Sequence, residues 1–485
     1  MKSFSRPEES IEREVRQGDL RREGLGLACV LLAGLATRLV FVWAFPTLPI
    51  SDFQQLVGFG LWMRDRSLTT GGFYWEYFSP GLPVFLSLLF RVFPGDPAAA
   101  ARLATAAATG LVPAFPYLLW RGVQPFRVRL LVAGMLALWP GQVLFSGVVA
   151  QDNWVLLPSV ALAALAVCRL SGGRAHPVAA GLLYALGVAF RQEMLIVLLP
   201  LLAAAAWERG RRGRSIALAL LAAGAPLLLL ALQRQAASGR FALTSEHSGL
   251  AVLGSYVPGA TRNSWIDPLP YVASVEPALL RDRRELRRRA LGLALSEVRR
   301  RPAFHAARIT ASVLDFAVAS EADNLYWSVL APEVMPPPLR PQGARLAHLA
   351  SPLLRIEMMS LLALFLATLL FSWRNPAVWA LGAAMACKIG LHAVTVSQGR
   401  YFLVVTALQL LAIALGAGEM AARGTWRTAA AALATGAIVA VGVGLVGPRA
   451  VGWVQRRDLP PLVLRLDDPD APGASRKLKV AGEKR

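Results

Sequence analysis

Residues 25–54 read LGLACVLLAGLATRLVFVWAFPTLPISDFQ. From Leu25 to Phe45 the only charge is Arg38, so this stretch of about 20 residues can cross a hydrocarbon core as a helix. It is too long for the apolar region of a cleaved leader. A charged tail bearing Lys2, Arg6, Arg13, Arg16, Arg21 and Arg22 precedes it, and no small-residue cleavage site follows. The tail places the N-terminus in the cytoplasm. The span therefore delivers Ser51-Asp52 to the outer face, where Ser51 and Gln54 fit a capping box for a short helix through about Arg64.

The rest of the chain agrees with a membrane protein. Of its 485 residues 55% are hydrophobic and 17% charged, and the mean hydropathy is +0.48. The net charge of +21 suggests nucleic acid at first sight, but the basic residues cluster in loops between apolar spans, where they set topology and meet anionic lipid. Cys29, Cys168 and Cys387 all fall inside apolar spans and read as small hydrophobes in packing. The five histidines are scattered and no Cys/His cluster has metal spacing.

Loop charges give a topology of about eleven spans in an all-α polytopic protein. Residues 1–24 form a basic cytoplasmic tail, and 25–233 an N-terminal transmembrane module with a first outer loop, 46–97. In that loop Pro80–Phe93 reads as a helix at the outer interface. Further spans are expected near 98–120, 130–149 and 154–170, then a hairpin turning at Arg191-Gln192-Glu193, then 215–233. Arg121, Arg127, Arg129, Arg169, Arg174 and the run Arg209–Arg212 mark the inner ends. Residues 234–352 form a long outer segment, in which Arg281–Arg301 mixes leucine and alanine with arginine and reads as an interfacial helix. Spans near 353–372, 376–396, 400–420 and 427–447 complete the C-terminal set within 353–447, and 448–485 is an outer, mobile tail.

Between Leu25 and Gln235 the carboxylates are Asp52, Asp65, Glu76, Asp96, Asp152, Glu193 and Glu208. All but Glu208 fall near the outer face in this topology. Charge close to a bilayer is costly and points to function. Asp52 reads either as a first-turn acid favouring the helix dipole or as a general base. Asp152 reads as a helix N-cap or a second site acid. Arg191 either pairs with Glu193 in its turn or binds an anion. Arg400, which opens a span with Tyr401, either snorkels or grips a phosphate with its planar fork. Arg38 either snorkels outward or pairs with an outer carboxylate.

The ordered set resembles the GT-C superfamily of membrane glycosyltransferases, in the bacterial branch similar to protein mannosyltransferases and lipid A aminoarabinose transferase. The resemblance runs from the first span to about the tenth. It comprises Asp52; the aromatic stretch Tyr74-Trp75-Glu76-Tyr77-Phe78-Ser79-Pro80; Ala101-Arg102-Leu103; Trp139-Pro140 leading to Asp152; Arg191; the stretch Thr244–Gly249 with His247; and Arg400-Tyr401. Phe53, Leu56 and Ser79 stand where relatives often carry a second acid, a tyrosine and a lysine.

What the resemblance implies is a hexosyl- or pentosyltransferase of the bacterial inner membrane with its site on the outer face. It would move a sugar from a polyprenyl-phosphate donor to an extracytoplasmic glycan, lipid or protein. Asp52 and Asp152 would be the catalytic acids, with Arg191, Arg400 and Tyr401 at the donor phosphate. Glu76, Tyr77, Glu193 and His247 would line the acceptor pocket. No cofactor is required; a divalent metal is compatible but not expected, and no metal ligand is assigned. A transporter or flippase for a lipid-linked glycan is the alternative. Its site would lie nearer the bilayer midplane, and its halves are often related by internal repeats, of which the sequence shows none.

Overall fold

The computed structural model describes residues 7–457 apart from 67–74, 76–77, 209–211, 240, 244–247, 259, 261–265, 332, 396–397 and 424–425. Every regular element among the described residues is a helix. The first is α1 (Pro7–Ala44), followed by α2 (Ser51–Arg64), α3 (Gly81–Val92), α4 (Pro97–Leu111) and α5 (Ala114–Leu119). Next come α6 (Phe126–Leu138), α7 (Pro140–Phe145), α8 (Gln151–Leu170), α9 (Pro177–Phe190), α10 (Met194–Val197), α11 (Leu199–Ala206) and α12 (Arg212–Ser238). The segment after it holds α13 (Ser248–Gly254), α14 (Leu269–Val275), α15 (Arg283–Arg300) and α16 (Pro302–Leu325). The last four are α17 (Arg340–Phe371), α18 (Pro376–Val394), α19 (Leu403–Arg423) and α20 (Trp426–Arg457).

Seven helical segments among the described residues are long and apolar enough to cross a membrane, and the protein is an all-α, multi-pass membrane protein. They correspond to seven of the eleven expected spans. Three more expected spans are shorter apolar helices: Pro177–Phe190, Met194–Ala206 and Ala430–Val446. The remaining one, 130–149, is not a single helix but α6 and α7 in series. Pro140 causes the break, because it has no N–H to bond the carbonyl four residues back. The carbonyls freed at the end of α6 are taken by Arg38, whose Nη2 donates to Leu136 O at 3.0 Å and Nη1 to Ala137 O at 2.7 Å. Its Nε donates to Gln142 Oε1 at 2.7 Å. Arg38 is 1% exposed, so it does not snorkel, and its partners among the described residues are carbonyls and Gln142 rather than a carboxylate; it splices α1 to the α6–α7 break.

The start of α2 also differs from expectation. Its N-cap is Ile50, with no side-chain cap, and Ser51 has φ +52°. Ser51 is the only non-glycine residue in the left-handed region among the described residues. The Ile50 carbonyl accepts from Phe53 N at 3.0 Å, so the chain turns sharply into the helix and leaves no room for the capping box.

The core runs along α8 and α19, whose apolar windows are each 83% buried, against 28% for α12 at the edge. Runs such as Val160-Ala161-Leu162-Ala163-Ala164 in α8 explain its central place, since small side chains let neighbouring backbones approach closely. Asp152 heads α8, and Arg400-Tyr401 lead into α19 through a 3-10 turn, Gly399–Phe402. The innermost helices therefore each carry polar groups at one end. The opposite ends are tied by other charges: Arg129 to Glu23, Arg169 Nη2 to Glu208 at 3.2 Å, and Arg423 to Glu419 at 3.4 Å.

In α15 the expected interfacial pattern is divided. Leu286, Ala290, Leu293 and Ala294 pack into a small core with Leu253, Tyr256 and Val257, while Leu291 and Leu295 are exposed. This unit is fastened to the bundle where Tyr256 Oη donates to Val394 O at 2.7 Å, at the end of α18.

Candidate active site

The chain leaving α1 is pinned before it reaches Asp52. Thr47 Oγ1 donates to Gly147 O at 2.6 Å, Arg102 Nη1 donates to Thr47 O at 3.0 Å, and Leu48 N donates to Val334 O at 2.7 Å. Asp52 follows in the first turn of α2, its side chain 45% exposed. Arg400 Nη2 approaches Asp52 Oδ2 at 3.4 Å and donates to Tyr401 Oη at 3.2 Å.

Arg400 is only 8% exposed in its side chain and stands among three rings: Phe53 at 5.0 Å, Tyr401 at 5.1 Å and Trp327 at 5.4 Å. Cation–π attraction holds it there without consuming its N–H groups. Its Nε is buried with no hydrogen-bond partner among the described residues.

Arg191 lies against the same tyrosine, its guanidinium 4.4 Å from the Tyr401 ring centre. It donates to Asp152 through Nη1 and to Glu193 Oε1 through Nε at 2.8 Å. Pairing with Glu193 and convergence on the site thus coexist. Glu193 also receives Lys388 Nζ and lies 3.1 Å from His392 Nε2. Burial drives the Glu193 carboxyl upward, but the charges of Arg191 and Lys388 outweigh it and hold the group well below the ordinary range. His392 stacks on Tyr401 at 4.2 Å.

The aromatic stretch abuts this cluster. Gln151 Nε2 donates to Ser79 O at 3.0 Å and Gln192 N to Ser79 Oγ at 3.2 Å. Gly81 is forced here: a Cβ on it would meet the Ala189 carbonyl at 2.6 Å. Arg234 Nη2, from α12, donates to Phe78 O at 3.0 Å.

The structure thus gathers Asp52, Asp152, Arg191, Glu193, Arg400 and Tyr401, drawn from four separate segments: α2, the head of α8, the turn 191–193 and the 3-10 turn Gly399–Phe402. Glu76, Tyr77 and His247 lie outside the described residues. Lys388 and His392 were missed by sequence reasoning. Their signal was present: Lys388 is the one Lys, Arg, Asp or Glu within 376–396, and His392 follows one helical turn later, so both share a face. Among the described residues no three His, Cys, Asp or Glu side chains come together as a metal-binding group. Asp152 and Glu193 are engaged by cations, and Asp52 is the more open carboxylate.

No family model matches the sequence, and no curated protein matches it. Among solved structures, the archaeal oligosaccharyltransferase AglB from Archaeoglobus fulgidus, in complex with an inhibitory peptide and a dolichol-phosphate, aligns with 89% of this chain. The alignment takes in 56% of that chain, at 17% sequence identity and a TM-score of 0.42. The present chain therefore matches little more than half the length of that protein.

Proposed function

We propose that this protein is a glycosyltransferase of the GT-C kind, moving a hexose or pentose from a polyprenyl-phosphate donor to an extracytoplasmic acceptor. One observation carries the reading. Two arginines 209 positions apart converge on a single tyrosine ring, one beside Asp52 and the other on Asp152. Such an arrangement presents fixed cations to a departing phosphate and carboxylates to an incoming hydroxyl. The ordered motif of the sequence supports the same reading.

In the proposed reaction the acceptor hydroxyl oxygen attacks the anomeric carbon, and its proton passes to Asp52. The bond from that carbon to the phosphate oxygen breaks, and polyprenyl phosphate leaves with the electron pair. A single displacement inverts the anomeric centre. Arg400, with its Nε unengaged, and Arg191 stabilise the charge on the leaving phosphate. Asp152 orients Arg191 and balances its charge. Lys388 and His392 act one step further out by fixing Glu193, and through it the fork of Arg191. The reading places the protein in a bacterial inner membrane with the site outward, as the loop charges indicate.

The test uses the full chain in nanodiscs with radiolabelled polyprenyl-phosphate hexoses and pentoses, following release of polyprenyl phosphate. Wild-type protein should turn over one donor class. Asp52→Asn keeps the shape and removes the base, so transfer should fall by about 100-fold or more. Undiminished turnover by a well-folded Asp52→Asn protein would overturn the assignment.

A further inference from the structure

A recess opens next to Arg400, its wall including the neighbouring Gly399. It has a volume of ≈ 390 Å³ and is lined by Ala322, Asp323, Tyr326, Trp327, Leu330 and the turn Gln398-Gly399. Its wall is unusual backbone. Tyr326–Leu330 forms one turn of π-helix at the end of α16, closed by Ala331 N donating to Tyr326 O at 2.9 Å. Such turns are rare and recur at functional sites because the extra residue re-aims side chains. Here it sets Tyr326 and Trp327 edge to face, 5.1 Å apart, with Tyr326 half-exposed.

The recess adjoins the reaction centre. Trp327 packs edge-on against Phe53 at 5.6 Å, and Phe53 is the neighbour of Asp52. Gly399 lines the recess and Arg400 follows it, 3.4 Å from Asp52.

The lining chemistry selects the occupant. Two aromatic rings offer electron-rich faces to the C–H face of a sugar ring. Asp323 supplies carboxylate oxygens, and Gln398 Oε1 is buried with no hydrogen-bond partner among the described residues. These oxygens accept hydrogen bonds from ring hydroxyls. Among the described residues no cation lines the recess, so a phosphate or a uronic acid would find no counter-ion in its wall. An apolar and aromatic cavity of this size with few convergent polar groups is built to orient a small ligand.

We propose that this recess is the acceptor subsite and binds an uncharged pyranose ring, which makes the acceptor a neutral glycan. The proposal rests on the transferase reading, since it names the acceptor for Asp52.

The experiment measures binding without donor, so the absence of transfer would leave it readable. Full-length protein in nanodiscs is presented to an array of neutral hexose and N-acetylhexosamine oligosaccharides, uronic-acid oligosaccharides, and serine- and threonine-containing peptides. Hits are titrated by tryptophan fluorescence and by saturation-transfer NMR. Neutral oligosaccharides should bind saturably, with one ring receiving most of the transferred magnetisation. Tyr326→Ala and Asp323→Asn should each weaken binding about tenfold. Trp327→Phe keeps a ring against Phe53 and should bind at an intermediate level. Thermal unfolding shows which variants are folded, and any one of the three that melts like wild type suffices for the comparison. Preferential binding of peptides or anionic oligosaccharides, silence of the whole neutral panel, or neutral-glycan binding indifferent to a folded variant would each overturn the proposal. If wild-type protein transfers sugar to peptides and ignores neutral glycans, the acceptor assignment falls and the transferase reading stands. If neutral glycans bind through Tyr326 and Asp323 but no donor turns over, the subsite stands and the transferase reading falls.

Discussion

Arg400 and Glu193 show how much one side chain here depends on shape and partner. Arg400→Lys keeps the charge but loses the planar fork and the stacking among Phe53, Trp327 and Tyr401. Donor affinity measured as KM should weaken by an amount equivalent to roughly 1.5–3 kcal/mol, the worth of one charge-assisted contact. A wild-type KM in this variant would contradict a phosphate role. Around Glu193 the expected effects are asymmetric. Glu193→Gln leaves Lys388, fully buried, without its carboxylate, and breaking a buried pair in this way costs about 3–5 kcal/mol. Lys388→Met removes the buried cation and leaves Glu193 with Arg191, so melting in detergent should fall less than for Glu193→Gln. Equal losses would mean that the Lys388 ammonium itself contributes as much to stability as the Glu193 carboxylate. Arg191 and Arg400 were legible in the sequence because each interrupts an apolar run where a span should end. Tyr401 was legible with Arg400 as its chain neighbour, but Phe53 and Trp327 were not legible as ring partners, because they reach Arg400 from two distant segments.

At the scale of helices, close packing rests on glycine at a few points. A Cβ on Gly181 of α9 would lie 2.2 Å from the Ala219 carbonyl of α12, whereas Gly224 on α12 has nothing within 4 Å. Gly181→Val should therefore force the pair apart and cost about 1–3 kcal/mol. Gly224→Ala should be neutral or stabilise by up to about 1 kcal/mol. Differential scanning fluorimetry of the two proteins separates these outcomes, and equal melting would refute the packing argument. The helix α16, outside the seven spanning candidates, carries a pH-dependent element. Burial, with Arg308 and Arg301 adding to it, pushes the His305 imidazole down to about 4. Its two ring nitrogens have no partner among the described residues. The unfolded chain gains a proton as pH falls through about 6.5, and the native chain only near 4. Stability is therefore full above the upper value and lost on acidification between the two, by on the order of 1–3 kcal/mol. His305→Leu should melt with a flatter dependence on pH across that window; an unchanged slope would assign the acid sensitivity elsewhere. Spans as such were legible from hydropathy. The division of 130–149 was not, because whether Pro140 bends or breaks a helix depends on what receives the freed carbonyls, and here that is Arg38, about 100 positions earlier.

For the whole molecule, loop charge predicts that the proposed site faces outward. With the native cysteines replaced, Gly95→Cys should react with an impermeant maleimide from outside and Gly172→Cys should not. The reverse pattern would turn the site toward the cytoplasm and end the proposed reaction. The segment 234–352 was legible only as hydrophilic, because its helices pack through pairings such as Tyr256 with Val394, 138 positions apart. The same long-range closure sets a schedule for biosynthesis. Glu193 meets Lys388 195 residues later in the chain. At ribosomal rates of roughly 5–20 residues per second, the carboxylate waits about 10–40 s for that partner. During the interval Arg191, two residues away, is the counter-ion already synthesised beside it. A nascent chain lacking α18 and α19 holds both acids but neither Lys388 nor Arg400. On the proposed reading the site is therefore incomplete until the segment bearing Arg400 has been made and packed against Asp52.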